Sequence, residues 1–253
     1  MRIIKAFFKK YWATILVFTG LGLWYYYATE YGEALSYLFP KVSSIANAFE
    51  SDKHLLIPNM LASFEIMVPS ILIALVIALS LGTFLGLNAK AREALHPVIY
   101  TFSVVPAILL APFILMLAPT LRMASIILIV YSTLWATLFA TITGIQTIDK
   151  GYLDKAATLE LKGLQKFFRV ILPAASPTIL GGFVNALRNT FIMLVYAEMY
   201  GATSGMGYYV KLYSDFGLFP KVWMGFIFMV IVLVVVMTLF EKLKVRLLKW
   251  TIN

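Results

Sequence analysis

The stretch Asp154–Pro173, DKAATLELKGLQKFFRVILP, is the longest basic and amphipathic segment of a chain that is otherwise mostly apolar. If the stretch is helical, Lys162, Lys166 and Arg169 lie on one stripe. The opposite side then carries the apolar residues Leu161, Leu164, Phe168 and Ile171. Pro173 opens the next apolar run, where a proline in the first helical turn is tolerated. The pattern predicts a short helix beside a membrane, which either lies on lipid headgroups or is a docking surface for a soluble partner.

The composition indicates a membrane protein. Of 253 residues, 61% are hydrophobic, against about 45–50% in an ordinary soluble domain. Cysteine is absent, which excludes disulfides and thiolate metal sites, and the two histidines, His54 and His96, lie too far apart to suggest a metal site. The net charge of +9 is typical of basic loops on one side of a membrane, so we expect lipid and not nucleic acid as the charged partner. We therefore predict an all-α, multi-pass membrane protein.

About six transmembrane helices are predicted, because the chain contains six largely uncharged runs near the length that crosses a ~30 Å hydrocarbon core. Their approximate ranges are 11–29, 62–89, 97–121, 123–148, 174–200 and 222–242. The third run contains Pro106, Pro112 and Pro119, which predict a bent or broken helix. Gly82 and Gly86 in the second run have the spacing that permits close helix packing. The six spans make one transmembrane domain, with a loop at 149–173 between the fourth and fifth.

The distribution of basic residues predicts the orientation. With six spans, the segments on the side of the N-terminus hold 15 of the 21 lysines and arginines, and the segments on the other side hold five. The remaining one, Arg188, lies within a span. Because short cytoplasmic loops carry the excess of Lys and Arg, both termini and the loop 149–173 are predicted to be cytoplasmic.

The 154–173 stretch resembles the EAA loop of permease subunits from binding-protein-dependent ABC importers, and most of all the branch that carries nitrate, sulfonates, taurine and thiamine precursors. In that motif an acidic residue precedes two alanines, a Thr-Leu-Gly and a later Leu-Pro. Asp154 occupies the position of the acid and Ala156 that of the second alanine. Thr158 and Leu159 match, and Pro173 closes the motif.

Two positions of the motif differ in this chain. Lys155 replaces the usual first alanine, and Glu160 replaces the usual glycine. Since glycine permits the positive φ of a sharp turn between two short helices, Glu160 disfavours that turn, and Gly163 could shift it. The resemblance implies that residues 154–163 fit into a cleft of an ATPase subunit. The residues implied in coupling are Asp154, Ala156, Thr158, Leu159, Glu160, Leu161, Gly163 and Pro173.

A second motif lies at 196–207, YAEMYGATSGMG, and resembles the Ala-Glu-Met segment and following glycine pair of the same family. Glu198, followed by Met199, could orient a gate at the outer mouth. It could instead cap nearby backbone amides or pair with Lys211. With both motifs, the resemblance covers residues 38–250 and implies the type I ABC importer permease fold.

Arg188 is the one strongly charged residue deep in a predicted span. Its presence in lipid is unfavourable by at least ~2.5–3.5 kcal/mol, so it should face protein or water. With Asn185 and Asn189 it could line a translocation path and attract an anion, or it could be a structural partner between helices. Hydroxyls of the fourth span are further path candidates, although such groups more often bond their own helix or a neighbour. These hydroxyls belong to Ser132 and Thr133.

The sequence lacks a phosphate-binding GxxxxGK[ST] loop and recognisable hydrolase motifs. We therefore expect no enzymatic activity, cofactor or metal on this chain, with ATP and Mg bound by a partner. The resemblance implies two cytoplasmic ABC ATPase subunits, a second copy of the permease and an extracytoplasmic substrate-binding protein, in the bacterial inner membrane. The substrate implied is a small anion or small metabolite.

Two other functions remain as alternatives at this stage. An ion-gradient-driven secondary transporter would be expected to have acidic residues in mid-span and an inverted repeat. A membrane anchor for a soluble complex would explain the amphipathic loop but not the prolines of the third span.

Overall fold

The computed structural model describes residues 2–31 and 37–251, with only the backbone described at 2–10, 31 and 251. The side chains of the N-terminal basic residues, which contribute to the predicted orientation, are therefore not among those described. Within the described residues the chain is helical and contains no strand, which confirms the predicted all-α fold. The ten α-helices are α1 (Arg2–Tyr31), α2 (Val42–Leu87), α3 (Ala89–Val104), α4 (Ala107–Leu117), α5 (Leu121–Gln146), α6 (Lys150–Thr158), α7 (Gly163–Lys166), α8 (Leu172–Gly201), α9 (Met206–Asp215) and α10 (Phe219–Leu247).

Among the described residues, four helical segments are long and apolar enough to cross a membrane. They are α2, α5, the segment Gly163–Gly201 that includes α8, and α10. The bent pair formed by α3 and α4 would make a fifth span. Helix α1 is outside this set, so the first of the six spans, 11–29, stays a prediction.

The third predicted span, 97–121, is not one straight helix. Helices α3 and α4 meet at an angle of 87°. The break lies at Val105, which adopts an extended conformation because the ring of Pro106 disfavours helical backbone in the residue before it. The proline-broken helix was therefore predicted correctly. The charged residues at 90–93 lie in the first turn of α3, which is capped by the side chain of Asn88, whose oxygen accepts a hydrogen bond from Ala91 N at 3.1 Å.

Helix α2 is longer than the predicted span 62–89. It has 46 residues, or ~69 Å, which is more than twice the hydrocarbon thickness. The first part of α2, residues 42–61, precedes the predicted span and is continuous with it. Pro58 and Pro69 lie inside the helix without ending it.

Helix α5 packs against α2 on one side and α8 on the other, and these three helices form the centre of the bundle. Glycines allow their backbones to approach closely. A Cβ atom at Gly82 would lie 2.7 Å from Thr141 Cβ, and one at Gly86 would lie 2.9 Å from Ile145 Cβ. The spacing of Gly82 and Gly86 therefore serves close packing of α2 on α5.

The ends of the bundle differ in charge. The ends of α2 and α5 and the start of α8 meet at one end, where Gly86 contacts Ile145 and Gly144 contacts Ala175. This end, called the basic end below, also includes the loop 149–173 and the end of α10, and it is the predicted cytoplasmic side. Helix α9 and the starts of α2 and α10 lie at the opposite end.

The contact of α8 with α5 can be tested at two adjacent glycines. A methyl group at Gly182 would overlap Ala140 Cβ and lie 3.1 Å from the carbonyl oxygen of Ala136, whereas Gly181 has open space around it. We expect Gly182→Ala to lower the free energy of unfolding by about 1–3 kcal/mol through overpacking. Gly181→Ala should raise it by about 0.5–1 kcal/mol through helix propensity. Thermal unfolding in detergent compares the two variants, and equal melting temperatures would contradict the close contact.

Candidate functional site

The loop at the basic end consists of two short helices joined by a sharp turn, so the single helix predicted over 154–173 is wrong. Helix α6 ends in a Schellman arrangement: Leu161 N donates to Ala156 O at 3.0 Å and Glu160 N to Ala157 O at 2.9 Å. Glu160 occupies the left-handed position, with φ of 51°. The turn therefore stays at Glu160 despite the missing glycine, and it is not shifted to Gly163, which begins α7 with its own φ of 53°.

This turn exposes apolar side chains in an otherwise polar loop. Leu159 and Leu164 are 70% and 74% exposed, and Phe168 is also exposed. Exposed basic residues flank them in sequence: Lys155 precedes Leu159, and Lys162 lies between Leu159 and Leu164. An exposed apolar patch bordered by charge is typical of a protein contact surface.

The other residues implied in coupling divide by burial. Ala156 is buried and holds α6 against the bundle, while Pro173 and Leu161 are half-buried. Asp154 and Thr158 are exposed on α6, and the Thr158 hydroxyl donates to the Asp154 carbonyl oxygen at 3.0 Å. Among the described residues of this loop, the exposed contact surface is thus formed by the outer face of α6 and the turn that follows it.

A π-helical turn, Phe167–Ile171, joins α7 directly to α8. Its wide turn ends where Leu172 N donates to the carbonyl oxygen of Phe167. Such turns are frequent at functional positions in helices. The helical connection means that α7 and the transmembrane helix α8 are continuous, so a displacement of one is transmitted to the other.

The middle of α8 carries an exposed polar face. Asn185, Arg188 and Asn189 are exposed. Arg188 Nη1 donates to Asn185 Oδ1 on the same helix at 3.1 Å. Across the described residues, no other helix supplies Arg188 with a hydrogen bond or an ion pair. Since a lipid-facing arginine is strongly disfavoured, this face requires water or a second chain.

A cavity of about 350 Å³ lies beside this face, at the break between α3 and α4. Ser132 and Asn189 line it together with Pro106, Trp135 and Tyr196. The cavity is mainly apolar with a few hydroxyl and amide groups, which is the usual composition of a small-ligand site.

Thr133 does not line the cavity. It is fully buried, and its hydroxyl lies 2.7 Å from that of Thr190 on α8. Thr133 is thus part of the α5–α8 contact, in line with the general tendency of hydroxyls in membrane helices to bond their own helix or a neighbouring one. Ser132, although it lines the cavity, also donates to Ile129 O on its own helix at 3.0 Å.

At the opposite end, three successive backbone amides at 205–207 donate to side chains of α2 and α8. The acceptors are Asn59 Oδ1 at 2.9 Å, Ser63 Oγ at 2.9 Å and Glu198 Oε2 at 2.7 Å. These amides begin α9 and would otherwise lack partners. This arrangement, called the amide cradle below, joins α2, α8 and α9.

In the amide cradle Glu198 caps backbone amides and does not pair with Lys211, and its role at a gate stays a prediction. Glu198 is 1% exposed and caps the start of α9, while Lys211 pairs with Asp215 instead. Gly205 has a φ of 123°, and a Cβ atom there would lie 2.5 Å from the Glu198 carboxyl carbon. The second motif therefore encodes a tight turn on a buried carboxylate. Met199, next to Glu198, is half-buried outside the cradle.

Asp52 is a buried residue to which the sequence analysis assigned no role. It is 4% exposed; its Oδ2 accepts from the Tyr209 hydroxyl at 2.8 Å and its Oδ1 from Lys221 Nζ at 2.9 Å. Burial and the Asp52 carboxylate raise the pKa of Tyr209, so the phenol stays a neutral donor. Asp52, Asn59 and Ser63 fall on one stripe of α2, and this regular polar spacing in an apolar helix was the available sequence signal.

The amide cradle predicts different effects for two substitutions of Glu198. Glu198→Ala leaves the buried amide of Gly207 without an acceptor, and we expect the free energy of unfolding to fall by about 1–3 kcal/mol. Glu198→Gln keeps a carbonyl oxygen at that position and should retain most of the stability. Hydrogen exchange at 205–207 in detergent measures the difference, and equal protection in the two variants would argue against the cap.

Comparison with known proteins gives a consistent result. Residues 70–249 match the family described as binding-protein-dependent transport system inner membrane component. A protein named as an aliphatic sulfonates transport permease, SsuC of Bacillus subtilis, is 29% identical over 69% of this chain and 63% of its own length. The nitrate import permease NrtB of Leptolyngbya laminosa is 28% identical over 59% of this chain and 53% of its own. The matched part of the chain thus spans less than two thirds of either relative.

The fold also has a counterpart among solved structures. A chain of the MetNI methionine ABC transporter in an inward-facing conformation superposes with a TM-score of 0.65 at 18% identity, covering 78% of this chain and 98% of that one. At this identity the likeness shows the fold, which is that of a type I ABC importer permease. Because the family match extends over more than half of its residues, the chain belongs to the inner-membrane components of binding-protein-dependent transport systems.

Proposed function

We propose that the chain is the transmembrane subunit of an ATP-driven ABC importer and that the loop 149–173 is its contact with the ATPase. The observation that carries the proposal is the turn at Glu160, which presents Leu159 to solvent between two short helices. Leu159, Leu164 and Phe168 are all exposed in this short basic loop, and a group of exposed apolar side chains bordered by charge is typical of a surface that a partner covers. A cleft on a soluble ATPase subunit would cover it.

The connection from the loop to the membrane supports a mechanical form of coupling. Helix α6 would lie in the ATPase cleft, and α7 and the π-helical turn continue into α8. ATP and Mg would be bound and hydrolysed by two partner subunits in the cytoplasm. Closure of those subunits would displace α6, and the continuous helix would carry the displacement into the membrane and change which side of the path is open.

The polar face of α8 supports a translocation path shared by two copies of the chain. Asn185, Arg188 and Asn189 are exposed in the single chain, and Arg188 within a span requires water or protein around it. A second copy facing α8 would enclose a polar path there. The neighbouring cavity, lined by Ser132 and Asn189, would be part of the path.

The substrate that fits this path best is a small anion. Arg188 is the cation on the polar face, and the named relatives include a sulfonate and a nitrate permease. Taurine and a thiamine precursor are further members of the proposed class of small metabolites. An extracytoplasmic binding protein would deliver the substrate to the end of the bundle that holds the amide cradle, in the inner membrane of a bacterium.

The proposed ATPase contact predicts a specific loss of binding. In Leu159→Asp, a charge replaces the exposed leucine, and we expect the affinity for the ATPase encoded nearby to fall about 30-fold or more, as for a central interface residue. Co-purification in detergent measures the loss. Phe216→Asp is the matched control, since Phe216 is equally exposed, at 69%, at the opposite end.

A second control concerns the turn itself. Glu160→Gly removes the strain of a positive φ at this position and leaves every apolar side chain of the loop in place. We therefore expect this variant to co-purify with the ATPase as the native chain does. If the native chain never co-purifies with that ATPase, or if Leu159→Asp binds as well as the native chain, the loop is not the coupling site.

The proposed path predicts that Arg188 is needed for transport but not for assembly. In the complete importer in proteoliposomes, we expect Arg188→Leu to reduce uptake of nitrate or a sulfonate at least tenfold, because the desolvated anion loses its counter-charge. Arg188→Lys should keep part of the activity. Size-exclusion chromatography reports assembly in parallel, and normal uptake by Arg188→Leu would reject the role.

A further inference from the structure

The cavity at the break between α3 and α4 has a wall that is mainly apolar. Its volume is about 350 Å³, and no charged side chain is among the described residues that line it. Three aromatic rings contribute to the wall, those of Tyr131 and Trp135 on α5 and of Tyr196 on α8. Cavities of this size and lining are typical of sites for small organic molecules. An anion as small as nitrate would leave most of the volume to water against apolar walls, which is unfavourable.

Contacts within the chain hold the wall of the cavity in place. The Tyr131 hydroxyl donates to the carbonyl oxygen of Phe102, one of the terminal carbonyl groups of α3. The rings of Tyr131 and Trp135 meet edge to face, with their centroids 5.4 Å apart. The wall is therefore formed before a ligand enters, and binding requires little ordering of side chains.

Two polar groups that line the cavity are free to bind a ligand. Asn189 and Tyr196 lie two turns apart on one face of α8. Neither the Asn189 amide nor the Tyr196 hydroxyl forms a hydrogen bond within the described part of the chain. The Ser103 and Ser132 hydroxyls, in contrast, donate to carbonyl oxygens of their own helices. The acyl chain of a lipid would leave the amide and the phenol unpaired, whereas the polar end of an organic ligand would pair with them.

Asn189 connects the cavity with the polar face of α8. It lines the cavity, and it is exposed on the face that also carries Asn185 and Arg188. A molecule whose apolar part fills the cavity would therefore meet the proposed path at Asn189 with its polar end.

We infer that the cavity is the subsite for the apolar body of an organic anion, with the Asn189 amide and the Tyr196 hydroxyl at its polar end. The inference rests on the proposed path and narrows the class of its substrate. Among small anions, it selects organic sulfonates or carboxylates over inorganic anions such as nitrate. The aromatic wall provides burial for the body of the substrate, and the two polar groups of α8 fix its orientation.

Binding to the full chain in lipid nanodiscs, without ATPase or binding protein, tests the subsite. Benzenesulfonate and methanesulfonate share the anionic group and differ in the apolar body, and saturation-transfer NMR compares them, with empty nanodiscs as the background. We expect benzenesulfonate to bind about tenfold more tightly, because the cavity buries its ring. Ile108→Trp fills the cavity and should abolish this difference. Leu109→Trp is the matched control and should preserve it, since Leu109 follows on α4, is 62% exposed and does not line the cavity.

The polar end of the subsite is tested separately. Tyr196→Phe should weaken the binding of benzenesulfonate about three- to tenfold through the loss of one hydrogen bond. Tyr200→Phe, one turn later on α8 and outside the cavity lining, is its matched control and should bind as the native chain does.

Three results would overturn the inference. They are equal binding of the two sulfonates, binding no stronger than to empty nanodiscs because lipid fills the cavity, and equal effects of Ile108→Trp and Leu109→Trp. None of them affects co-purification with the ATPase. Conversely, a chain that binds benzenesulfonate as expected but never co-purifies with the ATPase would contradict the proposed function alone.

Discussion

The close contact of α5 with α2 and α8 is the constraint on which the remaining structure depends. In a membrane, helices do not associate through the hydrophobic effect, so they need close van der Waals contact and satisfied polar groups. Gly82, Gly86 and Gly182 remove the side chains that would separate the backbones. The buried threonines of α5 complete the contact, because each hydroxyl donates to a carbonyl oxygen four residues earlier and leaves no polar group unpaired.

Helix α8 connects the functional regions because it is fixed along this contact. Its start continues from the loop at the basic end through the π-helical turn, and Arg188 lies on its free face. Near its other end, Glu198 holds the start of α9 in the amide cradle. In the proposed importer, a displacement of the loop would therefore reach the amide cradle through one continuous helix of 30 residues.

Much of this architecture follows from sequence patterns whose physical causes are local. Uncharged runs of sufficient length predict spans, and Pro106 predicts the break between α3 and α4 because the residue before a proline disfavours helix. The turn at Glu160 was harder to predict, since intrinsic preferences favour glycine at a left-handed position. There the bonds that close α6 outweigh the unfavourable φ, which amounts to roughly 1–2 kcal/mol for a residue with a Cβ atom.

Other features depend on contacts that sequence patterns do not contain. Asp52 becomes buried because α9 and α10 supply Tyr209 and Lys221, which lie more than 150 residues away along the chain. For Glu198, a cap on backbone amides and a pair with Lys211 were both open, and only the position of the 205–207 amides distinguishes between these two.

The exposed polar face of α8 supports the proposed second copy of the chain in a bilayer. Arg188 bonds only to Asn185 of its own helix among the described residues, and lipid cannot solvate a guanidinium. Snorkelling to a headgroup is disfavoured because the residue lies near the middle of α8, about 24 Å from its first residue. The remaining solution is a water-filled or protein-covered environment on that face. Two copies that face each other across a polar path would supply both water and protein around Arg188. The proposed dimer and the proposed path are therefore supported by the same charge, that of Arg188.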